Sequence, residues 1–466
     1  MRTVEVAIIG AGSAGLTARR EVAKETDSYV VIDDGELGTT CARVGCMPSK
    51  VLIQIANDFH RRSKLLEQGI SGGDDLRLNQ KLAFEHVRKL RDRFVRGVKS
   101  GMESWEKTHL IRKRAKFIDD HTLDLGDEKI YANRVIITTG SSPVIPESWK
   151  EFQDFFITTD HFFEQEEMPK RVAVIGLGVI GMELGQALNR LGVEIVAIGR
   201  GRAIGGVTDP DLQEYIIKKM SEELNIVFGG VRKLERSKNG VFVHTQDKVF
   251  EVDRIILAMG RSPQLKGLQL ENTSIPLNDF GVPIYDNETS MIQGTRHFIA
   301  GDVNSDRPIL HEAADEGAIA GYNAVRTKVH SFQRRIPMGI TFCSPNIAFV
   351  GETYKKLKDR SADFVIGKVT FEGQGRSIVM LQEKGLLHVY VDHRSGKILG
   401  AEMFGPSAEH IAHLLAWVIQ FGKDVHEVLA LPFYHPVIEE GLRTALRDAK
   451  NQLLEKRKGL EIPIKN

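Results

Sequence analysis

Three cysteines in 466 residues are too few for a structural disulfide framework. Charge imbalance is also missing. With 63 basic against 62 acidic residues the formal charge is +1, so composition offers no cationic footprint for nucleic acid. No run of about 18 apolar residues occurs, which excludes a recognisable membrane-spanning helix and predicts no membrane partner. A strand-like run begins by Val4, leaving no room for a cleavable leader. The C-terminal KRKGLEIPIKN matches no retention or peroxisomal signal. Together these absences predict a cytoplasmic protein. No Cys/His cluster accompanies the cysteines at zinc-ligand spacing, so no metal site is expected.

What is present is a globular composition, 42% apolar and 27% charged, at a length that suits three or four domains. Two segments look alike. Val4–Ile9, GAGSAG at 10–15, a helix through the 20s and Tyr29–Ile32 read as one βαβ unit. Val172–Ile175, GLGVIG at 176–181, a helix near 182–191 and Glu194–Ile198 read as a second. The charged stretch from Ala56 to Lys107 reads as a solvated helical surface. SSPVIPESW at 141–149 has the texture of a domain junction, and another is expected near residue 265. From about 336 onward short strands alternate with helical runs at 407–422 and 437–455, the pattern of a separate α+β domain.

In the first unit Gly10 permits the tight turn, Gly12 lets the backbone approach a pyrophosphate, and Gly15 lets the helix pack close to the strand. The helix N-terminus then presents its positive end to the phosphates. Asp33 follows Gly15 by 18 residues, where a carboxylate accepts ribose hydroxyls. A solvated turn at Asp33–Asp34 is the bland alternative. The second unit carries Gly176, Gly178 and Gly181, with Glu183 two residues on. Its second strand ends at Ile198-Gly199-Arg200-Gly201-Arg202. With no carboxylate there, Arg200 and Arg202 suit a 2′-phosphate and point toward NADP(H), although surface arginines after a strand are common.

The pair Cys41-Ala-Arg-Val-Gly-Cys46 carries the most information. Five residues are one and a third helical turns, so the sulfurs can meet only if the helix start is distorted. In a reducing compartment such a pair reads as transient and catalytic, and a helix N-terminus lowers a thiol pKa. Two inert buried thiols are the alternative. Cys343, in apolar ITFCSP, reads as a small core residue. Near the C-terminus His435 precedes Glu440 by five residues, a spacing that suits a base held in one tautomer by a carboxylate. Alone, such a pair is common on surfaces.

In combination these motifs resemble the flavin-dependent pyridine nucleotide–disulfide oxidoreductases, in the branch of dihydrolipoamide dehydrogenase and glutathione reductase. The resemblance covers nearly the whole chain in family order: GAGSAG, TTCARVGCMPSK, TTGSSPVIP, VIGLGVIGMELG, LAMGRSP, FIAGDV, TFCSPNIAFVG and YHPVIEE. It implies an α/β fold with two Rossmann-like domains, for FAD and NAD(P), and a C-terminal α+β dimerisation domain. The expected boundaries are 1–149 and 268–335 for the FAD-binding and central parts, 150–267 for NAD(P) and 336–466 for the interface. By position, Cys41 would be the interchange thiol and Cys46 the thiol beside the flavin. Lys50 would sit near flavin N5 and pair with Glu183. Asp302 would bind the ribityl chain, with Leu310 and Ala115 also near FAD and Gly140 and Gly260 among the cofactor contacts. His435 and Glu440 would form a base dyad supplied by the other subunit of a homodimer. The sequence departs from the usual motifs at Gly38-Thr39-Thr40, Ala42-Arg43, Asn346 and Val437. None removes a reacting group, but Arg43 sets a cation beside the thiols. The expected activity is that of a dihydrolipoamide dehydrogenase acting on lipoamide, free or protein-bound. An NADPH-dependent glutathione-type, other disulfide or quinone reductase is the alternative, and a flavin-bound scaffold the non-enzymatic one. A mercuric reductase is disfavoured because no C-terminal cysteine pair is present, and a soluble transhydrogenase because it needs no redox cysteines.

Overall fold

The computed structural model describes residues 1–455 and 460–462, so the tail read for sorting signals lies largely outside the described residues. The N-terminal run buries nearly every side chain from Val4 to Ile9, as a parallel strand covered on both faces must. Arg2–Ile9 lies between Tyr29–Ile32 and Lys129–Ile137, parallel to both, with Ile9 level with Ile32 and Ile137. The sheet has seven strands, and Phe298–Ile299 joins it from far along the chain. The helix Ser13–Val22 packs on this sheet and against Leu310–Ala324. Their approach is close because Gly317 and Gly321 face the backbone of Ala14 and Ala18; a Cβ at Gly317 would lie 2.2 Å from the Ala14 carbonyl oxygen.

The second unit repeats the arrangement. Arg171–Ile175, Glu194–Gly199, Asn225–Phe228, Arg254–Leu257 and Phe156–Ile157 make a parallel five-stranded sheet, crossed over by the antiparallel strands at 233–252. Two short strands connect the halves. Ser141–Pro143 leaves the first and Arg261–Pro263 returns, paired antiparallel with Arg261 opposite Pro143. The C-terminal part is an antiparallel five-stranded sheet under helices Ala408–Gln420 and Glu440–Gln452.

One expectation changes. The charged stretch from Ala56 to Lys107 is not one helical surface. The helix from Cys46 ends at His60, short 3-10 turns follow to Asp75, and a second helix runs Gln80–Ser100. Gly69 and Gly72 stand at φ +78° and +86° in the break, a conformation that side-chain-bearing residues resist.

Candidate active site

Where the two parallel sheets and the C-terminal sheet meet, the chain encloses a cavity of about 1850 Å³. That exceeds the roughly 300–1,000 Å³ of an ordinary small-molecule site and leaves room for more than one large ligand. Three helices open into it at their N-termini: Ser13–Val22, Val179–Arg190 and Leu310–Ala324. None has a side-chain cap, since Gly12, Gly178 and Ile309 stand at the cap positions. Unsatisfied N–H groups and the positive helix end make each a receptor for phosphate oxygens.

The six fingerprint glycines divide by geometry. A Cβ on Gly15 would lie 1.9 Å from the Gly10 carbonyl oxygen, and one on Gly181 would lie 1.8 Å from that of Gly176. These four close the strand–helix turns from beneath. A Cβ on Gly12 or Gly178 meets nothing within 4 Å, so at these two the backbone is bare toward the cavity. The cavity also carries a buried, unpartnered Nε2 on His311. Uncapped helix ends, open glycine backbone and this orphaned nitrogen fit two dinucleotides with polar ring edges, one per sheet.

Gly140, Gly260, Asp302 and Leu310 line the same cavity. Asp33 and Ala115 do not. The Asp33 carboxylate accepts from Ala11 N at 2.6 Å and Gly35 N at 2.7 Å, so it braces the first fingerprint turn; Ala115 is buried in the core beneath the first sheet. On the second sheet Arg200 lines the cavity but Arg202 does not; its guanidinium lies 5.4 Å from the Phe228 ring centroid. The second cavity cation is Arg232, after the glycine pair 229–230, donating to Gln246 Oε1 at 3.4 Å. Among the described residues the only carboxylates lining the cavity are Glu183 and Asp302, and no acid lines it beside these arginines.

The two cysteines face the cavity from separate turns. Cys41 lies in the short helix Thr40–Arg43, and Cys46 opens the helix Cys46–His60. Gly45 permits the break; a Cβ there would lie 3.2 Å from Cys41 Cα. Both thiols are free, and Cys41 is placed to offer its proton to Cys46. The bond from Cys41 and the Lys50 ammonium pull Cys46 down to about 7 against the opposing effect of burial, while Cys41, as the partner holding the proton, is driven strongly upward. Cys46 also occupies the positive end of a 15-residue helix. Lys50 Nζ donates to Glu183 Oε2 at 2.7 Å and sits 4.7 Å from the Phe342 ring centroid, while Glu183 Oε1 accepts from Phe342 N at 2.9 Å. One carboxylate thus ties the dithiol helix, the second fingerprint helix and the C-terminal sheet. Cys343 is fully buried, its thiol pushed up to about 12 by burial, and inert.

A pH profile follows. Because Cys46 is shifted downward, its thiolate is present above about 7 and lost below. Alkylation of the reduced protein by iodoacetamide should plateau above pH 7 and fall about tenfold per unit below it. Lys50→Met should move the midpoint upward. An ordinary thiol midpoint near 8.5 in the unsubstituted protein would remove this reading.

His435 and Glu440 are brought together but not to the thiols. His435 Nδ1 lies 3.0 Å from Glu440 Oε1, Val437 N donates to Glu440 Oε2 at 3.2 Å, and the bond with His435 lowers the Glu440 pKa. Neither residue lines the cavity of its own chain, and the His435 side chain is 80% exposed.

Comparison with known proteins agrees with this geometry. A family model described as pyridine nucleotide-disulphide oxidoreductase matches residues 4–318, and that family's dimerisation-domain model matches 337–446. A mercuric reductase of Staphylococcus aureus is 26% identical over 452 residues, covering 95% of this chain and 81% of that protein. A dihydrolipoyl dehydrogenase of Haloferax volcanii is 27% identical over 471 residues, covering 97% of each. Among solved structures, the Cu(II) complex of the HOCl-induced flavoprotein disulfide reductase RclA from Escherichia coli superposes with a TM-score of 0.82 at 21% identity, over 95% of this chain and 99% of that one. LpdA from Mycobacterium tuberculosis gives the same score and identity over 96% and 99%.

Proposed function

As this chain belongs to the pyridine nucleotide–disulphide oxidoreductase family, whose members bind FAD and use NAD(P)H, we propose that it exchanges electrons between NADP(H) and a dithiol–disulfide substrate of the lipoamide type through Cys41 and Cys46. The observation that carries the reading is the pair of free thiols on adjoining turns of the cavity wall, Cys41 in one short helix and Cys46 at the start of the next, with Lys50 on the same helix drawing Cys46 toward the thiolate. FAD, when bound, supplies the hydride chemistry that connects nicotinamide and dithiol.

The chain's own groups account for the thiol half. Because the proton rests on Cys41, that thiol needs a base before it can attack, and His435, oriented through Nδ1 by Glu440, is the base. Its Nε2 takes the Cys41 proton. The Cys41 thiolate attacks one substrate sulfur, forming a mixed disulfide and releasing the other sulfur as a thiolate, which receives that proton. Cys46 thiolate then attacks Cys41 Sγ, closing the Cys41–Cys46 disulfide and expelling the second substrate thiolate. The oxidative direction reverses each step. His435 reaches Cys41 only from a second copy of the chain, so the working unit is a cytoplasmic homodimer with shared sites. The matched dimerisation domain supports this, as do the exposed apolar side chains of Leu414, Trp417 and Phe421 along one helix.

Arg200 and Arg232, with no acid beside them, support NADP(H). A charge-assisted contact is worth about 1.5–3 kcal/mol, so Arg200→Glu should shift the NADPH/NADH ratio of kcat/KM at least about tenfold toward NADH. A parent enzyme that prefers NADH and ignores the change would end the NADP(H) assignment. Steady-state kinetics with lipoamide, glutathione disulfide, a quinone, Hg(II) and Cu(II), each with both nucleotides, tests the substrate. The metal ions belong in the panel because mercuric reductases are as similar as dihydrolipoyl dehydrogenases. Turnover of Hg(II) with none of any disulfide would replace the reading.

A further inference from the structure

The two strands that join the nicotinamide half to the FAD half carry a hydrogen-bonded chain that the thiol chemistry leaves unused. At the crossing, Arg261 Nε donates to Ser141 Oγ at 2.8 Å and Arg261 Nη2 donates to the Ser141 carbonyl at 2.7 Å. Nη1 donates to Thr159 Oγ1 at 3.2 Å. Ser141 Oγ in turn donates to Asp302 Oδ2 at 2.8 Å. A serine hydroxyl has one proton and can point it either way, but a guanidinium only donates. The Asp302 carboxylate can only accept, so Ser141 gives it the hydroxyl proton, while Arg261, which can only donate, anchors the same Oγ from the other side. Among the described residues no other group donates to that carboxylate, and no cation pairs with it, so its orientation depends on Ser141.

The other end of the chain lies at the nicotinamide wall. Arg261 follows Met259 and Gly260, which line the cavity. The backbone just before them abuts the second fingerprint turn, where a Cβ on Gly176 would lie 2.1 Å from the Ala258 carbonyl oxygen. A ligand that presses on Met259–Gly260 therefore acts on the residues that adjoin Arg261, which itself lines the cavity.

We propose that Arg261 is a positioning residue that anchors the Ser141 hydroxyl against Asp302, so holding Asp302 in place for FAD, and transmits nicotinamide occupancy to the FAD side of the cavity. The proposal rests on Asp302 facing FAD, as the site reading has it, and not on the identity of the thiol substrate.

The test uses purified holoenzyme and oxidised NADP+, which binds without delivering electrons. In the unsubstituted protein, saturating NADP+ should perturb the visible absorbance of the bound flavin. Arg261→Met should abolish that difference spectrum and raise the Kd for FAD about tenfold or more, read from flavin fluorescence on dilution. Arg261→Lys, which keeps a donor, should restore most of the FAD affinity. Ser141→Ala removes the hydroxyl alone and should reproduce both losses. It carries the test if Arg261→Met fails to fold, since it leaves the interdomain guanidinium in place. A full difference spectrum and native FAD affinity in a folded Ser141→Ala or Arg261→Met variant would overturn the proposal. So would a parent protein that binds NADP+ with no flavin perturbation. Neither readout involves a disulfide, so a failure of lipoamide turnover leaves this result standing on its own.

Discussion

Cys41→Ser and Cys46→Ser should each reduce disulfide turnover to background while the flavin stays bound. The two losses have different causes, and the difference is measurable. Cys46→Ser deletes the thiolate that resolves the mixed disulfide, and the remaining Cys41 can still be alkylated, relieved of the upward push of Cys46 and raised only by burial. Cys41→Ser deletes the hydrogen-bond partner that lowers Cys46 most, with Lys50 left as the main stabilising charge. Its iodoacetamide profile should lie above the parent midpoint of about 7, because burial then opposes Lys50 without the help of Cys41. FAD content, read as the ratio of flavin to protein absorbance, should match the parent in both, because the uncapped helix ends and fingerprint glycines that fit the cofactor are untouched. In the parent, about one equivalent of dithiol should add a long-wavelength band that both serine variants lack. Near-normal turnover of lipoamide or any other disulfide by either variant would sink the assignment of this pair as the reacting groups.

The parts of this molecule that sequence exposes are those set by local stereochemistry. Strand, glycine turn and helix recur because the turn admits no Cβ at Gly15 or Gly181, and that constraint is visible as spacing. The cysteine pair is likewise legible, since a spacing of five positions between two of only three cysteines has few structural uses. The predicted distortion between them is a full break at Gly45. Where three-dimensional packing decides, the reading weakens. Arg200 and Arg202 look equivalent in sequence, yet Arg202 lies over Phe228 and the second cavity arginine is Arg232, thirty residues on at the end of the neighbouring strand. Gly229-Gly230 before it was the available signal, a turn beside the strand end that closes the nucleotide side. Asp33 stands where a ribose ligand is expected, and its carboxylate also accepts from Ala11 N of the fingerprint turn and from Gly35 N, a bracing part that its spacing alone does not reveal. Arg261, within LAMGRSP, shows no role in sequence because its partners Ser141 and Thr159 lie 120 and 102 positions away. Long-range side-chain partners of this kind leave no periodic trace.

The base offers the sharpest test of how the sites are built. General-base catalysis contributes about 10²–10⁴-fold, so His435→Gln should lower disulfide turnover by that order. Glu440→Gln should cost less, because it keeps a hydrogen-bond acceptor for Nδ1 and loses only the charge that stabilises the imidazolium. Hydride exchange between NADPH and bound flavin needs no thiol proton and should barely change in either variant. His435 does not line the cavity holding its own cysteines, and on the shared-site proposal each site draws it from a second chain. Inactive Cys46→Ser chains and inactive His435→Gln chains, unfolded and reassembled together, should therefore regain activity. In the mixed dimer one site combines an intact Cys41–Cys46 pair with an intact His435, and the other has neither. With random pairing about half the dimers are mixed and each has one working site, so recovery should approach a quarter of the parent rate. Native mass spectrometry establishes that mixed dimers formed. If they form and no activity returns, His435 acts within its own chain or takes no part, and the shared-site reading falls while the thiol assignment stands.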